Sequence, residues 1–366
     1  MRGYSFILML ILGIMVPDTS FCAEEKTEDK GLLSVLGFNK SNPTEVKSPT
    51  EAPKEDSHQQ MLKSADEGDL NAQLSLGYLF LYGEGDIKPD YAKAFKYYSM
   101  AAEQGDNIAI NNLGSLYYSG IGTTADVGKA MDMFEKAHQL GNVEASVNLA
   151  FLYMTDNPRS KDSTKAISLF ESASNANNAI AQFMLGYSHL HGFIVEQNYS
   201  KAFDLLQKSA LAKYDEAQYQ TALMYIEGKG VPQNYGKAVA FLDAAIAQGH
   251  LLAMTELGTM LAEGVKYPRN IYKAHILFNL ASVYGVDSAA EYRDKLSKNL
   301  KIEDLLKAQA QADTYRPAPS ELTLYVRQTF GDNITAYIDR YLPKKEEPKK
   351  LEKEIKEDKT HRSTLL

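Results

Sequence analysis

Paired histidines, glycine-rich loops and a row of lysines are the features of this chain with the residue types of a reactive site. His189-x-His191 has metal-ligating chemistry, but two positions apart on a helix the imidazoles leave on different sides, so no joint metal site is expected. Gly83-Glu84-Gly85, Gly120-Ile121-Gly122 and Gly228-Lys229-Gly230 look like phosphate-cradling loops. They carry neither the Walker nor the dinucleotide fingerprint, and they recur in phase with a longer pattern that explains them as helix terminators. There is no His-Glu-x-x-His and no Gly-x-Ser-x-Gly. The single cysteine, Cys22, excludes disulfide frameworks and cysteine metal clusters. With 39 basic against 47 acidic residues, a net charge of −8, the chain lacks the basic footprint that nucleic acid requires. Sequons stand at Asn39, Asn198 and Asn333, the second of them at a repeated cap position. No reaction, cofactor, metal or small-molecule substrate is therefore expected.

What does recur is Lys-Ala. It stands at Lys93, Lys129, Lys165, Lys201, Lys237 and Lys273, each followed by Ala and each 36 residues from the last. Three residues earlier come Asp90, Asp126, Asp162, Asn198, Asn234 and Asn270. Asp and Asn side chains accept from the free amides of a first helical turn, so each predicts the start of a helix, here helix B. An apolar stripe at helical spacing follows, with Tyr98, Phe134, Phe170, Leu206, Leu242 and Phe278 in one register. Gly105, Gly141, Asn177, Gly249 and Gly285 mark its end. A lysine in the first turn opposes the helix dipole, at a cost of about 0.3–1 kcal/mol when exposed. Each lysine stem is therefore expected to lie across a neighbouring helix with its amine on loop carbonyls.

Helix A precedes each B. It begins near Ala72, Ala109, Ala145, Ala181, Ala217 and Ala253 and carries Leu-Gly at 76–77, 113–114, 185–186 and 257–258, with Leu149-Ala150 and Thr221-Ala222 in the other two units. Glycine inside a helix costs about 1 kcal/mol against alanine, so its recurrence at one phase implies close helix packing. Six helix–turn–helix units over 71–285 follow, each leaving an apolar face that stacking covers. Residues 57–70 echo the end of a helix B and predict a capping helix.

The unit Ala-x-x-x-Leu-Gly-x-x-Tyr-x-x-Gly-x-Gly, then Lys-Ala, then Ala-Ala-x-x-Gly resembles the Sel-one-like repeat (SLR) family, relatives of tetratricopeptide repeats. The resemblance implies an all-α, right-handed solenoid of six 36-residue repeats with helical caps, acting as a non-catalytic protein-binding scaffold. The chain departs from the pattern at Asp156-Asn157-Pro158, Ala150 and Asn177 in unit 3 and at Thr221 in unit 5. The cysteines of the branch with activity toward β-lactams are absent.

Residues 1–23 read as an export signal, with an apolar run from Tyr4 to Val16 that is shorter than a bilayer span. An uncleaved anchor is the alternative, and the one membrane contact foreseen. Residues 24–56 have a linker's composition, with an apolar island at Gly31–Phe38. Capping helices are expected over 286–342, and 343–366 is a charged tail. Localisation is expected to be periplasmic or secreted.

In tetratricopeptide-like arrays helix A lines the concave face. The positions flanking its glycine stripe here are Tyr78, Tyr82, Tyr118, Phe151, Phe183, Tyr187 and Tyr219, with Asn111, Ser115 and His191 and the acids Glu227 and Glu263. Aromatic residues of this kind anchor protein interfaces, and an extended or helical segment is the natural occupant. The expected partner is thus a protein or peptide. The family resemblance adds three variants of that role: a regulator of a peptidoglycan enzyme, a host-interaction factor of an intracellular bacterium, and a eukaryotic lumenal adaptor, the last weakened by the absence of a retention signal.

Overall fold

The structure, a computed structural model, describes residues 55–330 apart from 86, 155–161 and 194. The expected leader, nearly all of the linker with its island, the Asp156-Asn157-Pro158 loop, a helix at 332–342 and the charged tail lie outside the described residues.

Among the described residues the fold is helical throughout, with one isolated bridge between Glu84 and Ile87. Helix α1 (Glu55–Asp66) leads into six hairpins of A and B helices. These are α2 (Leu70–Tyr82) with α3 (Tyr91–Glu103), α4 (Asn107–Ser119) with α5 (Val127–Gln139), and α6 (Val143–Met154) with α7 (Ser163–Asn175). They continue with α8 (Ala179–His191) and α9 (Tyr199–Leu211), α10 (Asp215–Glu227) and α11 (Tyr235–Ala247), and α12 (Leu251–Glu263) and α13 (Ile271–Val283). Helices α14 (Asp287–Ser297), α15 (Ile302–Asp313) and α16 (Glu321–Phe330) follow. Successive helices pack on one another along the array, and α14 and α15 both cover α13. This is an all-α repeat solenoid.

Each B helix starts where its cap residue predicts. The side-chain oxygens of Asp90, Asp126, Asp162, Asn198, Asn234 and Asn270 accept from the amide of the repeated lysine at 2.9–3.1 Å. The same cap residues donate their own N–H back to helix A, at Phe80, Tyr117, Tyr153, His189, Tyr225 and Leu261. One residue thus opens helix B and ties it to helix A. The alanine of every Lys-Ala pair is fully buried, since only a methyl fits where helix B approaches its neighbours. Gly77 and Gly114 lie against the rings of Tyr98 and Phe134, where a β-carbon would stand 2.8 Å from ring carbon.

The second glycine of the Gly-x-Gly loops has a separate cause. A β-carbon on Gly122 would lie 2.1 Å from the carbonyl oxygen of Tyr91, and one on Gly230 2.0 Å from that of Tyr199. Each belongs to the first residue of the preceding unit's helix B, so this glycine lets units stack. Gly85, in the unit with no repeat before it, has nothing within 4 Å.

Four of the six lysine amines lie not on loop carbonyls as expected but over aromatic rings of helix A. The amines of Lys93, Lys129, Lys165 and Lys237 stand 4.9–5.4 Å from the ring centres of Phe80, Tyr117, Tyr153 and Tyr225. Lys93 also pairs with its cap, Asp90, at 3.1 Å. In unit 6, where Leu261 holds the ring position, Lys273 instead pairs with Asp243 at 3.0 Å. Attraction to the ring face and the cap carboxylate offsets the dipole mismatch that the carbonyl reading was meant to relieve.

Candidate functional site: the helix A face

The expected lining residues divide into a core set and an accessible set. Phe183 is wholly enclosed, edge-on to Tyr214 at 4.9 Å between ring centres, and no partner reaches it without unpacking the core. Asn111, Tyr118, Phe151 and Tyr187 are buried. Tyr78 and Ser115 are half-buried, as is Tyr219, while Tyr82, His191, Glu227 and Glu263 are exposed. Tyr78 and Tyr82 meet at a tilt with ring centres 4.8 Å apart in unit 1; Tyr187 and His191 do so at 4.3 Å in unit 4. Asn148 donates to Asn111 across units at 3.0 Å, and Tyr219 stacks on His250 at 4.7 Å.

His189 and His191 do not converge: His189 Nδ1 lies 3.0 Å from the Glu196 carbonyl oxygen, whereas His191 lies against Tyr187. No group of three metal-ligating side chains is found among the described residues. No helix among them is long and apolar enough to cross a membrane.

The acids sit at the far end. Glu227 pairs with Lys229 at 2.6 Å. Glu256, which sequence reasoning missed, has its carboxyl pushed above the usual range by burial, with Glu263 and Glu227 adding to the effect and Lys266 opposing it. Burial, with Glu256 nearby, likewise raises the hydroxyl of Tyr219.

A segment from beyond the array meets the start of the fifth helix A and the turns beside it. After α15 the chain returns, held by the N–H of Ala318 on the Ala247 carbonyl at 2.8 Å, and α16 then reaches unit 5. Ser320 Oγ donates to the Lys213 carbonyl at 2.6 Å, and the N–H of Ser320 donates to Gln248 Oε1 at 2.8 Å. Thr323 Oγ1 accepts from the Asp215 N–H at 3.1 Å and lies 2.7 Å from Gln248 Oε1. Arg327 pairs with Asp215 at 2.5 Å and donates to the Gln248 carbonyl at 3.3 Å. Thr323 and Val326 are fully buried. Tyr325 lies near enough to Tyr82 of unit 1 to contribute, after burial and Tyr78, to raising that hydroxyl. Helix α16 therefore binds the first residue of the fifth unit's helix A, with Tyr325 on the side of Tyr82 of the first unit.

The repeats match the family model described as the Sel1 repeat in six consecutive stretches, at 70–106, 107–142, 143–178, 179–214, 215–250 and 251–282. The chain belongs to the Sel1 repeat family. The first five stretches each run from the start of one helix A to the turn before the next, and the sixth ends within the last turn of α13. Sel1 repeat proteins are in general protein-interaction scaffolds. Among solved structures the chain is similar to c5321, a protective antigen present in uropathogenic Escherichia coli strains displaying an SLR fold, with 25% identity and a TM-score of 0.62. The match covers 79% of this chain and 60% of that one, so the chain spans well under two thirds of that relative's length. A Sel1 repeat protein from Oxalobacter formigenes matches with 23% identity and a TM-score of 0.55, over 63% of this chain and 99% of the other. No curated protein matches.

Proposed function

We propose that this Sel1 repeat protein is an exported scaffold that holds a segment of another protein against its helix A face, in the cell envelope or outside the cell. The observation that carries the groove reading is the seating of α16: a helical segment from outside the repeats is held at the start of the fifth helix A and the turns beside it, through side-chain and main-chain hydrogen bonds. The half-buried and exposed aromatics Tyr78, Tyr82 and Tyr219 supply the kind of anchor that protein partners use. The apolar run at 4–16 supports export. Regulation of a peptidoglycan enzyme is a narrower form of the same role. A host-interaction role is favoured by the likeness to a protective antigen of a uropathogen.

The test uses the full chain with a photo-crosslinking residue at Tyr78 or Tyr219 on helix A, or at Leu211, an exposed residue of a helix B, each exposed to an envelope fraction. Crosslinks to a small set of proteins from the helix A positions alone are expected. One stoichiometric hydrolase identifies the regulator form, and structural envelope proteins identify the scaffold. Equal labelling from Leu211, or none from helix A, rejects the groove. Cell fractionation tests export, and full retention in the cytoplasm rejects it.

A further inference from the structure

Unit 5 breaks the repeat over three consecutive residues, and the break is where α16 lands. In the other five units the residue before helix A caps it: Asp69, Asp106, Asn142, Asn178 and His250 each accept from the third amide. Tyr214 holds that place in unit 5 and makes no side-chain cap. Lys213, before it, takes φ +66° where the corresponding turns use Gly68, Gly105, Gly141, Asn177 and Gly249. Asp215, after it, is a carboxylate-bearing residue 4% exposed, where other units place Leu70, Asn107, Val143, Ala179 and Leu251. Within an array, each of these choices is unfavourable.

Each is answered by the returning segment. The Thr323 hydroxyl accepts from the Asp215 amide, at the helix start that Tyr214 leaves uncapped. Ser320 binds the Lys213 carbonyl, and Arg327 pairs with Asp215. We infer that Lys213–Asp215 with Gln248 is a recognition site for a helical protein segment that opens Ser-x-x-Thr and carries Arg four residues later, and that Ser320–Arg327 is its built-in occupant, displaced by a partner segment of the same chemistry. The inference rests on the groove-binding reading and gives that partner its chemistry.

The occupant is held mostly by polar groups. Val326 is fully covered, while Leu322, Leu324 and Tyr325 keep part of their surface. It is reached through exposed residues Arg316, Pro317 and Ala318. Exchanging one set of hydrogen bonds for the same set from another chain loses little, so the tether itself sets the threshold. A short link gives an effective concentration of about millimolar or more, which an incoming segment must outcompete.

The probe is a fluorescent synthetic peptide of residues 316–330, and the protein is the full chain. The peptide is expected to bind the full-chain Thr323→Ala/Arg327→Glu variant at least tenfold more tightly than wild type, with amide exchange over 321–327 becoming fast in that variant. Adding Asp215→Asn, or placing Arg327→Glu in the peptide, is expected to remove the gain. A released variant that ignores the peptide overturns the inference. Unchanged exchange over 321–327 makes α16 a fixed cap and overturns it equally. A concentration-dependent dimer of wild type in sedimentation makes a second copy the occupant and overturns the external partner. If the double variant loses its helical circular dichroism, the wild-type chain nicked at a protease site inserted between Arg316 and Pro317 takes its place. Exchange of the peptide into the nicked chain is then expected, and permanent retention of the native segment overturns the inference. Crosslinks from Tyr78 or Tyr219 alongside a failed peptide experiment would sink this inference alone; the reverse would sink the crosslinked groove instead.

Discussion

Replacing Gly186 by alanine probes the close approach of helices A and B within a unit. A β-carbon there falls 2.8 Å from Leu206 Cγ, 3.0 Å from the Leu206 backbone nitrogen and 3.1 Å from Leu205 Cβ. Ordinary carbon contacts lie near about 3.5–4.0 Å, and neither a backbone nitrogen nor a β-carbon can rotate aside. Alanine gains about 1 kcal/mol of helix propensity over glycine. Overpacking costs about 1–3 kcal/mol, and against atoms that cannot move it falls in the upper part of that range, about 2–3, so Gly186→Ala is expected to lose about 1–2 kcal/mol net. Gly258→Ala meets only the ring of Phe278, at 3.1–3.3 Å, and a ring can turn. Its two effects nearly cancel, to within about 1 kcal/mol of zero. Units 3 and 5 already carry alanine at this place, Ala150 and Ala222, both fully buried. Ala150→Gly is expected to cost about 1 kcal/mol or more. The assay is urea unfolding followed by circular dichroism, with residue-level hydrogen exchange, because losses in a repeat array stay near the altered unit. A Gly186→Ala variant as stable as wild type, or less perturbed than Gly258→Ala, would show that these glycines do not set the interhelical distance.

Other positions carry equally direct expectations. Gly230→Ala combines φ +71° with a 2.0 Å collision against a backbone carbonyl and should cost more than about 2 kcal/mol, whereas Gly85→Ala, with nothing within 4 Å, should cost only the strained φ, about 1 kcal/mol; thermal unfolding separates them. A double-mutant cycle on Lys237→Met and Tyr225→Leu should return a coupling of about 0.5–1 kcal/mol, and a coupling of zero would mean that the amine is merely solvated. Burial holds the carboxyl of Glu256 above its ordinary range, so folding favours its protonated form, and the stability that this group supplies is present at low pH and lost as pH rises through its folded value. Glu256→Gln should therefore raise the melting temperature at pH 7, and the gain should vanish below about pH 4, where the carboxyl is protonated in either state.

The hairpins were legible because period does the reading. Six cap residues at one phase, each with its lysine and buried alanine, locate every B helix to within a residue. The carbonyl expectation for the lysine amines weighs the dipole without the ring of the same unit's helix A, which the return path of the hairpin sets beneath four of the six. Phe183 and Tyr219 occupy the same register 36 residues apart, yet one is enclosed and the other half-buried. The difference lies in the neighbours: Phe183 has Tyr214 edge-on beside it, while Tyr219 has His250 stacked against it. The pairing of Asp215 with Arg327 spans 112 positions and has no periodic signature. Its one signal was the run Lys213-Tyr214-Asp215, where the repeat is broken three times in succession, and that break was not read.

In a solenoid a unit meets only its neighbours, so a departure from the repeat is repaired by an adjacent unit, repaired from outside, or left as a cost. Unit 5 illustrates the second at Lys213–Asp215 and the third at Thr221. The five other units place leucine at this position. Thr221 is fully buried, and its hydroxyl has no hydrogen-bond partner among the described residues. A buried, unsatisfied hydroxyl costs about 1–3 kcal/mol. Valine keeps the shape and removes the group, so Thr221→Val is expected to stabilise the chain by about 1 kcal/mol in urea unfolding, with hydrogen exchange slowed in α10 and its neighbours. Because the change lies within one helix of the α16 contact, the same variant reports on the site. If it instead destabilises the chain while peptide binding at Asp215 also weakens, the hydroxyl is part of the recognition surface, and the break in unit 5 extends from Lys213 to Thr221.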